Sequence, residues 1–157
     1  IKSAQKKTYI QGSRVLLQQT FSNKILTNKL FKKPHFFSNE AKNKINLFRF
    51  PLLSFFILSI KNQNLNRIRG CNFSLFKEDI IKVNGFNEEF ITWGKEDSEF
   101  VQRLFNHGVY RKNLKFSGIQ YHLFHKEGSS DSSNIGLLNE SIKNKSLFCT
   151  NGIEKYL

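Results

Sequence analysis

The 157-residue sequence contains no methionine, one tryptophan, two prolines and two cysteines. Because it begins at Ile1 without an initiator residue, we expect the chain to be a piece of a longer protein. The cysteines, Cys71 and Cys149, are far apart and match no metal-binding or redox spacing. They are typical of reduced thiols in an intracellular protein. A disulfide between the two is the alternative.

Long apolar runs are absent as well. The most apolar stretch covers about fourteen residues from Leu47 to Ile60 and is interrupted by Arg49 and Pro51, whereas a helix that spans a bilayer needs about twenty. Residues 52–60 are predicted to form a helix with Pro51 in its first turn. Since bases flank it on both sides, this helix is either buried in a core or lies on an anionic bilayer surface.

Acidic residues are nearly absent from the first half of the chain. Residues 1–69 contain fourteen lysines and arginines and a single acid, Glu40, whereas residues 70–157 contain eleven residues of each sign. The whole formal charge of +13 therefore comes from the first half. This asymmetry indicates an anionic partner, which is nucleic acid, an acidic membrane surface or a phosphate-bearing substrate. A solvated basic face is the alternative that needs no partner.

The length suits one domain with its own core, and the hydrophobic pattern is mixed α/β. We divide the chain into a basic part over residues 1–69, a core part over residues 70–127, and a loop with a C-terminal tail over residues 128–157. Residues 70–76 alternate like a half-buried strand. A short helix with Glu78 and Asp79 in its first turn follows and ends at Asn84-Gly85.

A second helix is predicted from about Glu96 to His107, with Gly108 as its stop. Its apolar residues at positions 100, 101, 104 and 105 fall on one face. Residues 8–17 are interpreted as an extended piece, a Gln-Gly-Ser turn and an apolar run, and residues 24–44 as a helix followed by an exposed loop. Residues 114–124 are predicted to form a closing strand. The Ser-rich residues 128–134 are predicted to be a mobile loop before a C-terminal helix.

Residues 92–99, Thr-Trp-Gly-Lys-Glu-Asp-Ser-Glu, place the only tryptophan beside three acids at the start of that second helix. Acids there have an ordinary role, because the helix dipole favours each of them by about 0.3–1 kcal/mol. Trp93, however, precedes a glycine and is better placed to stack on a ligand ring than to enter a core. The dipole also keeps a neighbouring carboxylate ionised and able to accept a proton. The octet therefore predicts a sugar-binding face with a general base.

Asn-Gly-Phe at 84–86 is followed by Trp-Gly-Lys-Glu-Asp at 93–97. Because it has both of these motifs in this order, the chain resembles the C-terminal half of family 2 glycosyltransferases of the GT-A fold. It is similar in particular to bacterial enzymes of lipopolysaccharide-core and capsule assembly that share a galactosyltransferase-like C-terminal module. The resemblance covers roughly residues 8–127, and Gln11-Gly-Ser-Arg14 also fits it. It implies the acceptor-side portion of a GT-A mixed α/β sheet flanked by helices.

The resemblance also implies a reaction, the inverting transfer of a sugar from a nucleotide-diphosphate donor to a saccharide acceptor in cell-surface polysaccharide or lipopolysaccharide synthesis. It makes Asp97 the catalytic base, with Glu96 binding acceptor hydroxyls or orienting the base, and Trp93 part of the acceptor platform. The other candidates are Gly94 and Asn72 for the acceptor, and Arg69 and Arg14 for the donor diphosphate, with Arg67, Arg111 and Lys112 as further cations. For any one of these cations, a solvated surface charge is the alternative.

Tyr121-His-Leu-Phe-His125 is the implied metal-binding segment, with His125 as the favoured ligand of Mn²⁺ or Mg²⁺ and His122 as the second. A spacing of three in a continuous strand puts the two side chains on opposite faces, so both bind one ion only if the strand ends or bends near His122. A structural histidine pair is the alternative. The metal also requires an Asp-x-Asp motif that is absent from this sequence, so we expect the chain to be inactive alone.

The expected partners are the nucleotide-diphosphate sugar and the saccharide acceptor, with peripheral membrane contact and no nucleic acid. The expected location is the cytoplasm, at the inner face of the membrane. Two other functions stay open. A non-catalytic carbohydrate- or membrane-binding module would use Trp93 without chemistry. A nucleic-acid-binding domain would account for the basic first half, but it leaves the Trp-Gly-Lys-Glu-Asp segment unexplained.

Overall fold

Two small sheets, each accompanied by helices, make up the mixed α/β fold that the hydrophobic pattern predicts. The computed structural model describes residues 3–126, 128 and 131–157. The chain divides into two compact units that alternate along the sequence. The first unit comprises residues 1–11, 61–112 and 128–157, and the second comprises residues 12–60 and 113–127. Each unit has its own sheet and its own apolar core.

The sheet of the first unit has four short strands, namely β1 (Thr8–Gln11), β4 (Lys61–Asn62), β5 (Phe73–Ser74) and β6 (Tyr110–Asn113). Their order is β4-β6-β1-β5, and β1 pairs antiparallel with β5 so that Ile10 lies opposite Ser74. The strand predicted over residues 70–76 is therefore confirmed only at Phe73 and Ser74. Gly70–Asn72 form a 3-10 turn instead.

In the described part of the first unit, three α-helices accompany the sheet: α3 (Lys77–Lys82), α4 (Glu96–Asn106) and α5 (Ser132–Lys143). The predicted helices α3 and α4 are confirmed. The residues predicted to terminate them are confirmed as well, because Asn84, Gly85 and Gly108 have left-handed backbones with φ of 63°, 67° and 74°. The apolar face predicted for α4 is buried. It forms the core of the unit, which consists of Tyr9, Val83, Phe100, Val101, Leu104, Phe105 and Val109.

The second unit contains β2 (Ser13–Leu17), β3 (Ala41–Lys42) and β7 (Ile119–His122), in the order β3-β2-β7. β2 pairs antiparallel with β3 and parallel with β7. The strand predicted over residues 114–124 is confirmed only as β7, because residues 115–118 form a turn in which Phe116 and Gly118 have positive φ. The core of this unit consists of Val15, Leu17, Phe21, Ala41 and Leu47.

The helices of the second unit are α1 (Gln19–Asn28) and α2 (Pro51–Ser59). Pro51 occupies the first turn of α2, as predicted. α1 begins before the predicted stretch and ends at Lys29, whose left-handed backbone closes it well ahead of Pro34. Within the described part of the chain, no helix combines the length and the apolar character needed to cross a bilayer.

The C-terminal part is more ordered than predicted. The loop predicted over residues 128–134 is wrong from Ser132 onward, because a twelve-residue helix begins there and is capped by the side chain of Asp131. Residues 129 and 130 lie outside the described residues. Cys71 is exposed and Cys149 is buried, and neither forms a disulfide, which confirms the prediction of ordinary thiols over a disulfide.

Candidate functional site

Trp93 and Asp97 lie on either side of a sharp turn at the start of α4. Gly94 has a φ of 105° and Lys95, which caps the helix, has a φ of 75°. Two successive left-handed residues turn the chain abruptly from the loop that carries Trp93 to the helix that carries Asp97. Residues with a side chain rarely adopt the backbone conformation of Gly94, so the turn needs glycine at this position.

The carboxylate of Asp97 packs directly against Gly70. The backbone N–H of Gly70 donates a hydrogen bond to Oδ2 of Asp97 at 2.6 Å. A side chain at position 70 would overlap the same carboxylate, because a Cβ there would collide with Oδ1 and Cγ of Asp97. This contact places the 3-10 turn of Gly70–Asn72, and with it the predicted site residues Arg69 and Asn72, next to the start of α4.

Glu96 has one buried oxygen that lacks a partner. Its residue is only partly exposed, and among the described residues no donor reaches Oε2 of this carboxylate. An unsatisfied buried acceptor costs about 1–3 kcal/mol, and more when it is charged. Because this oxygen has almost no accessible surface, contact of Glu96 with a ligand hydroxyl requires a small movement of the side chain.

The loop that carries Trp93 is held by α5. The buried side chain of Asn134 donates through Nδ2 to the carbonyl oxygens of Thr92 at 3.0 Å and of Gly94 at 2.8 Å. Gly128 packs against the indole, since a Cβ at that position would lie 2.9 Å from the Cβ of Trp93. Trp93 itself remains 49% exposed. Hydrogen bonds thus hold the backbone on both sides of Trp93, while about half of the residue remains exposed to solvent.

Buried charge lies on the other flank of α4. Glu99 accepts two hydrogen bonds at 2.7 Å from Arg103, and Arg103 also donates to the carbonyl oxygens of Val83 and, at 2.9 Å, of Gly85. The third acid of the octet is therefore part of the fold and does not face a ligand. The spacing of four between Glu99 and Arg103 is a sequence signal for this pair.

Tyr9 lies within electrostatic reach of both Arg111 and Asp97. Burial raises the pKa of the Tyr9 phenol well above its ordinary value; the positive charge of Arg111 opposes this shift and the negative charge of Asp97 adds to it. Arg111 is buried and donates to Oδ1 of Asn62 at 3.1 Å and to the carbonyl of Asn66 at 2.9 Å. Arg111 is therefore engaged within the fold and is not a solvated surface charge.

His122 and His125 meet at the end of β7, in the second unit. The strand ends at His122, which satisfies the condition for the two side chains to come together. Their Nε2 atoms are 2.9 Å apart. The chain leaves the strand where the N–H of Phe124 donates to Oγ of Ser22 at 2.8 Å. Arg14 pairs with Gln120 and Leu16 with His122, so alternation puts Arg14 and His122 on one face of the sheet.

The histidine pair fits two positions of a metal site, but not a complete one. Ring nitrogens bind ions at about 2.0–2.1 Å, so two adjacent ligands lie about 3 Å apart, close to the observed spacing. Mn²⁺ and Mg²⁺ also require oxygen ligands. Within the described ranges, no three or more His, Cys, Asp or Glu residues are grouped as metal ligands. The spacing equally suits an N–H···N hydrogen bond between the rings.

The sequence is similar to a known family over part of its length. Residues 58–126 match the family model described as the N-terminal domain of galactosyltransferase. This segment is glycosyltransferase-like. The match therefore supports a glycosyltransferase function in general. No curated protein matches the chain.

The matching segment contains most of the predicted site. Asp97, Glu96, Trp93, Gly94, Asn72 and Arg69 lie within it in the first unit, and His122 and His125 lie within it in the second. Arg14 lies outside it. Gly128 and Asn134 also lie outside it, and sequence reasoning missed both. Their contacts with the Trp93 loop join positions about 35 to 42 residues apart in the sequence, so no local pattern marks them.

Proposed function

We propose that the chain provides the acceptor side and the catalytic base of an inverting family 2 glycosyltransferase of the GT-A fold. It would transfer a sugar from a nucleotide diphosphate to a saccharide acceptor in bacterial cell-surface polysaccharide or lipopolysaccharide synthesis, at the inner face of the membrane. One observation carries the proposal. Asp97 and a half-exposed Trp93 flank the start of α4, inside the segment that is similar to galactosyltransferases.

The proposed reaction assigns one task to each residue of the first unit. Trp93 stacks on the acceptor sugar, and Glu96 accepts a hydrogen bond from an acceptor hydroxyl through its carboxylate. Asp97 takes the proton from the attacking hydroxyl as that oxygen bonds to the anomeric carbon and the bond from this carbon to the diphosphate breaks. The Gly70 amide holds Oδ2 of Asp97 and so orients the base.

The donor side requires more than the first unit. When bound, a divalent cation neutralises charge on the departing diphosphate, and His122 and His125 are the residues of this chain that would hold it. Arg69 is the candidate of the first unit for contact with phosphate oxygens, and the same role for Arg14 stays a prediction. The carboxylate ligands that Mn²⁺ or Mg²⁺ needs would come from an Asp-x-Asp motif outside this sequence.

The base assignment is tested by Asp97→Asn in the complete gene product. Turnover is measured as release of nucleoside diphosphate from a panel of nucleotide-diphosphate hexoses with saccharide acceptors. Loss of a general base lowers kcat by about 10²–10⁴-fold, with little change in the acceptor KM. Glu78→Gln is the matched control, because Glu78 is an exposed acid in the first turn of another helix. Equal activity of the two variants would make the base assignment wrong.

A non-catalytic carbohydrate-binding module is the second candidate. It is favoured by the half-exposed Trp93 in a chain without an Asp-x-Asp motif. Calorimetric titration with mono- and disaccharides distinguishes it. Binding that persists in Asp97→Asn, is lost in Trp93→Ala and is accompanied by no turnover in the complete gene product would support the binding module over the enzyme.

A further inference from the structure

Helix α2 exposes its apolar side. Leu52, Phe55 and Phe56 are 82%, 73% and 67% exposed, whereas Ser54 and Leu58 are buried. Positions 52, 55 and 56 are spaced i, i+3 and i+4, so the three large side chains form one face. A helix at the surface of a soluble domain normally has the opposite arrangement, with its polar side outward. Packing within the second unit therefore leaves the most apolar face of this helix uncovered.

The exposed surface extends beyond these three residues. Leu53 and Ile60 are also exposed, as are Phe48 and Phe50 just before the helix. We call Leu52, Leu53, Phe55, Phe56 and Ile60 the α2 apolar face. Single exposed apolar side chains are common, but contiguous groups of large ones mark surfaces that bind a protein or a membrane.

The charge of the second unit distinguishes between a protein and a membrane as the binding partner of this face. Residues 12–60 and 113–127 contain ten lysines and arginines and two acids. Lys42, Lys44 and Arg49 precede α2 and Lys61 follows it. Each base near an anionic bilayer contributes about 1 kcal/mol to binding. Charge complementarity therefore favours an anionic surface with an apolar layer beneath it, which is the structure of a bilayer that contains acidic lipids.

The length of α2 determines how it would meet a bilayer. It has nine residues, and about twenty are needed to span the hydrocarbon region. An apolar helix of this size flanked by bases lies in the plane of the interface, with its side chains among the headgroups and upper acyl chains. The basic side chains then remain in water beside the phosphates.

We propose that the α2 apolar face docks on a membrane surface rich in anionic lipid. Leu52, Phe55 and Phe56 insert below the headgroups, and the flanking lysines and arginines bind the phosphates. The inference stands on exposure and charge alone and does not depend on the proposed sugar transfer. Absence of docking would therefore contradict the proposed location at the membrane but not the sugar transfer, and absence of turnover would leave the docking intact.

The test is co-sedimentation of the chain with vesicles of two compositions, pure phosphatidylcholine and an equal mixture of phosphatidylcholine and phosphatidylglycerol. We expect binding to the mixed vesicles that weakens as salt is raised, and binding to the neutral vesicles at least about tenfold weaker. The double variant Leu52→Glu/Phe55→Glu should lose about tenfold or more in affinity for the mixed vesicles, because two apolar side chains no longer leave water.

Ile91→Glu is the matched control, since Ile91 is an 87% exposed apolar residue of the first unit. It should bind the mixed vesicles like the wild type. Thermal unfolding of all variants checks that the exposed substitutions leave the fold intact. No binding to mixed vesicles, or equal loss in Ile91→Glu, would overturn the proposal. So would dimerisation in sedimentation velocity that Leu52→Glu/Phe55→Glu abolishes while vesicle binding is absent, because the face would then join two copies of the chain.

Discussion

The backbone amide of Gly70 donates a hydrogen bond to Oδ2 of Asp97 across 27 positions of the sequence. The contact joins a 3-10 turn to the start of α4. It requires glycine for a reason of space, because the carboxylate occupies the position that a Cβ would take. The orientation of the proposed base is thus set by a residue that has no side chain.

Gly70→Ala should displace the Asp97 carboxylate. The added methyl group overlaps Oδ1 and Cγ, so either the turn or the side chain must move, at a cost of about 1–3 kcal/mol in stability. We expect kcat of the complete gene product to fall towards that of Asp97→Asn. Turnover and chemical denaturation measure the two effects.

Gly136→Ala is the control for that substitution. Gly136 lies within α5, and a Cβ there meets no atom within 4 Å. The same change should therefore stabilise the chain by about 0.5–1 kcal/mol, as alanine does inside helices, and leave turnover unchanged. Full activity in Gly70→Ala would show that the Asp97 carboxylate does not depend on this contact.

Asn134→Ala should loosen the loop that carries Trp93. The substitution removes both hydrogen bonds to the carbonyl oxygens of Thr92 and Gly94, which costs about 1–3 kcal/mol. Trp93 is the only tryptophan, so tryptophan emission, excited selectively over the four tyrosines, reports on this loop alone. We expect the emission maximum to shift to longer wavelength as the indole becomes more exposed. Asn139→Ala, an exposed position on the same helix, should leave the spectrum unchanged, and an unshifted spectrum in Asn134→Ala would contradict the role.

The parts of the fold that could be predicted from sequence are those with local signals. α4 shows its apolar face at a helical spacing, its acids at the start and Gly108 at the end, and each signal acts within a few residues. The strand predicted over residues 70–76 is confirmed at Phe73 and Ser74, but its first three residues form a 3-10 turn for the opposite reason. Its alternation is strand-like, but Gly70 must approach Asp97, and that requirement arises only from tertiary contact.

The candidate site divides in the same way. The Trp93 and Asp97 pattern is contiguous in sequence and could be recognised. The supports of this pattern, Gly70 and Asn134, reach it from 27 and about forty residues away. Whether α2 is buried or exposed also could not be read from its apolar sequence, since an all-apolar helix is compatible with a core and with a bilayer surface.

Glu99→Gln should destabilise the first unit strongly. Glu99 and Arg103 are both buried, and the neutral amide would leave the guanidinium charge without its counterion. Breaking one partner of a buried ion pair costs about 3–5 kcal/mol. Urea denaturation followed by circular dichroism measures the loss. Lys155→Met, which breaks an exposed ion pair with Glu88, is the comparison and should leave the midpoint near that of the wild type. Similar midpoints for both variants would contradict the prediction.

The two cysteines should differ in reactivity by their burial. Cys71 is exposed, whereas Cys149 is buried, with Sγ 3.5 Å from the carbonyl oxygen of Asn84. Burial also raises the pKa of the Cys149 thiol, so at neutral pH less of it is the reactive thiolate than in an exposed thiol.

A chromogenic disulfide reagent at neutral pH should therefore react with one thiol quickly and with the second only as the C-terminal segment opens or the chain unfolds. Cys71→Ser should remove the fast phase and Cys149→Ser the slow one. Raising the pH should accelerate the slow phase, because more of the opened Cys149 thiol is then the reactive thiolate. The side chain of Asn84 holds this segment in place, because it donates to the carbonyl oxygen of Cys149 and accepts from the N–H of Glu154. Equal reaction rates for the two thiols in the native chain would contradict the prediction, because Cys149 would then be as accessible to the reagent as Cys71.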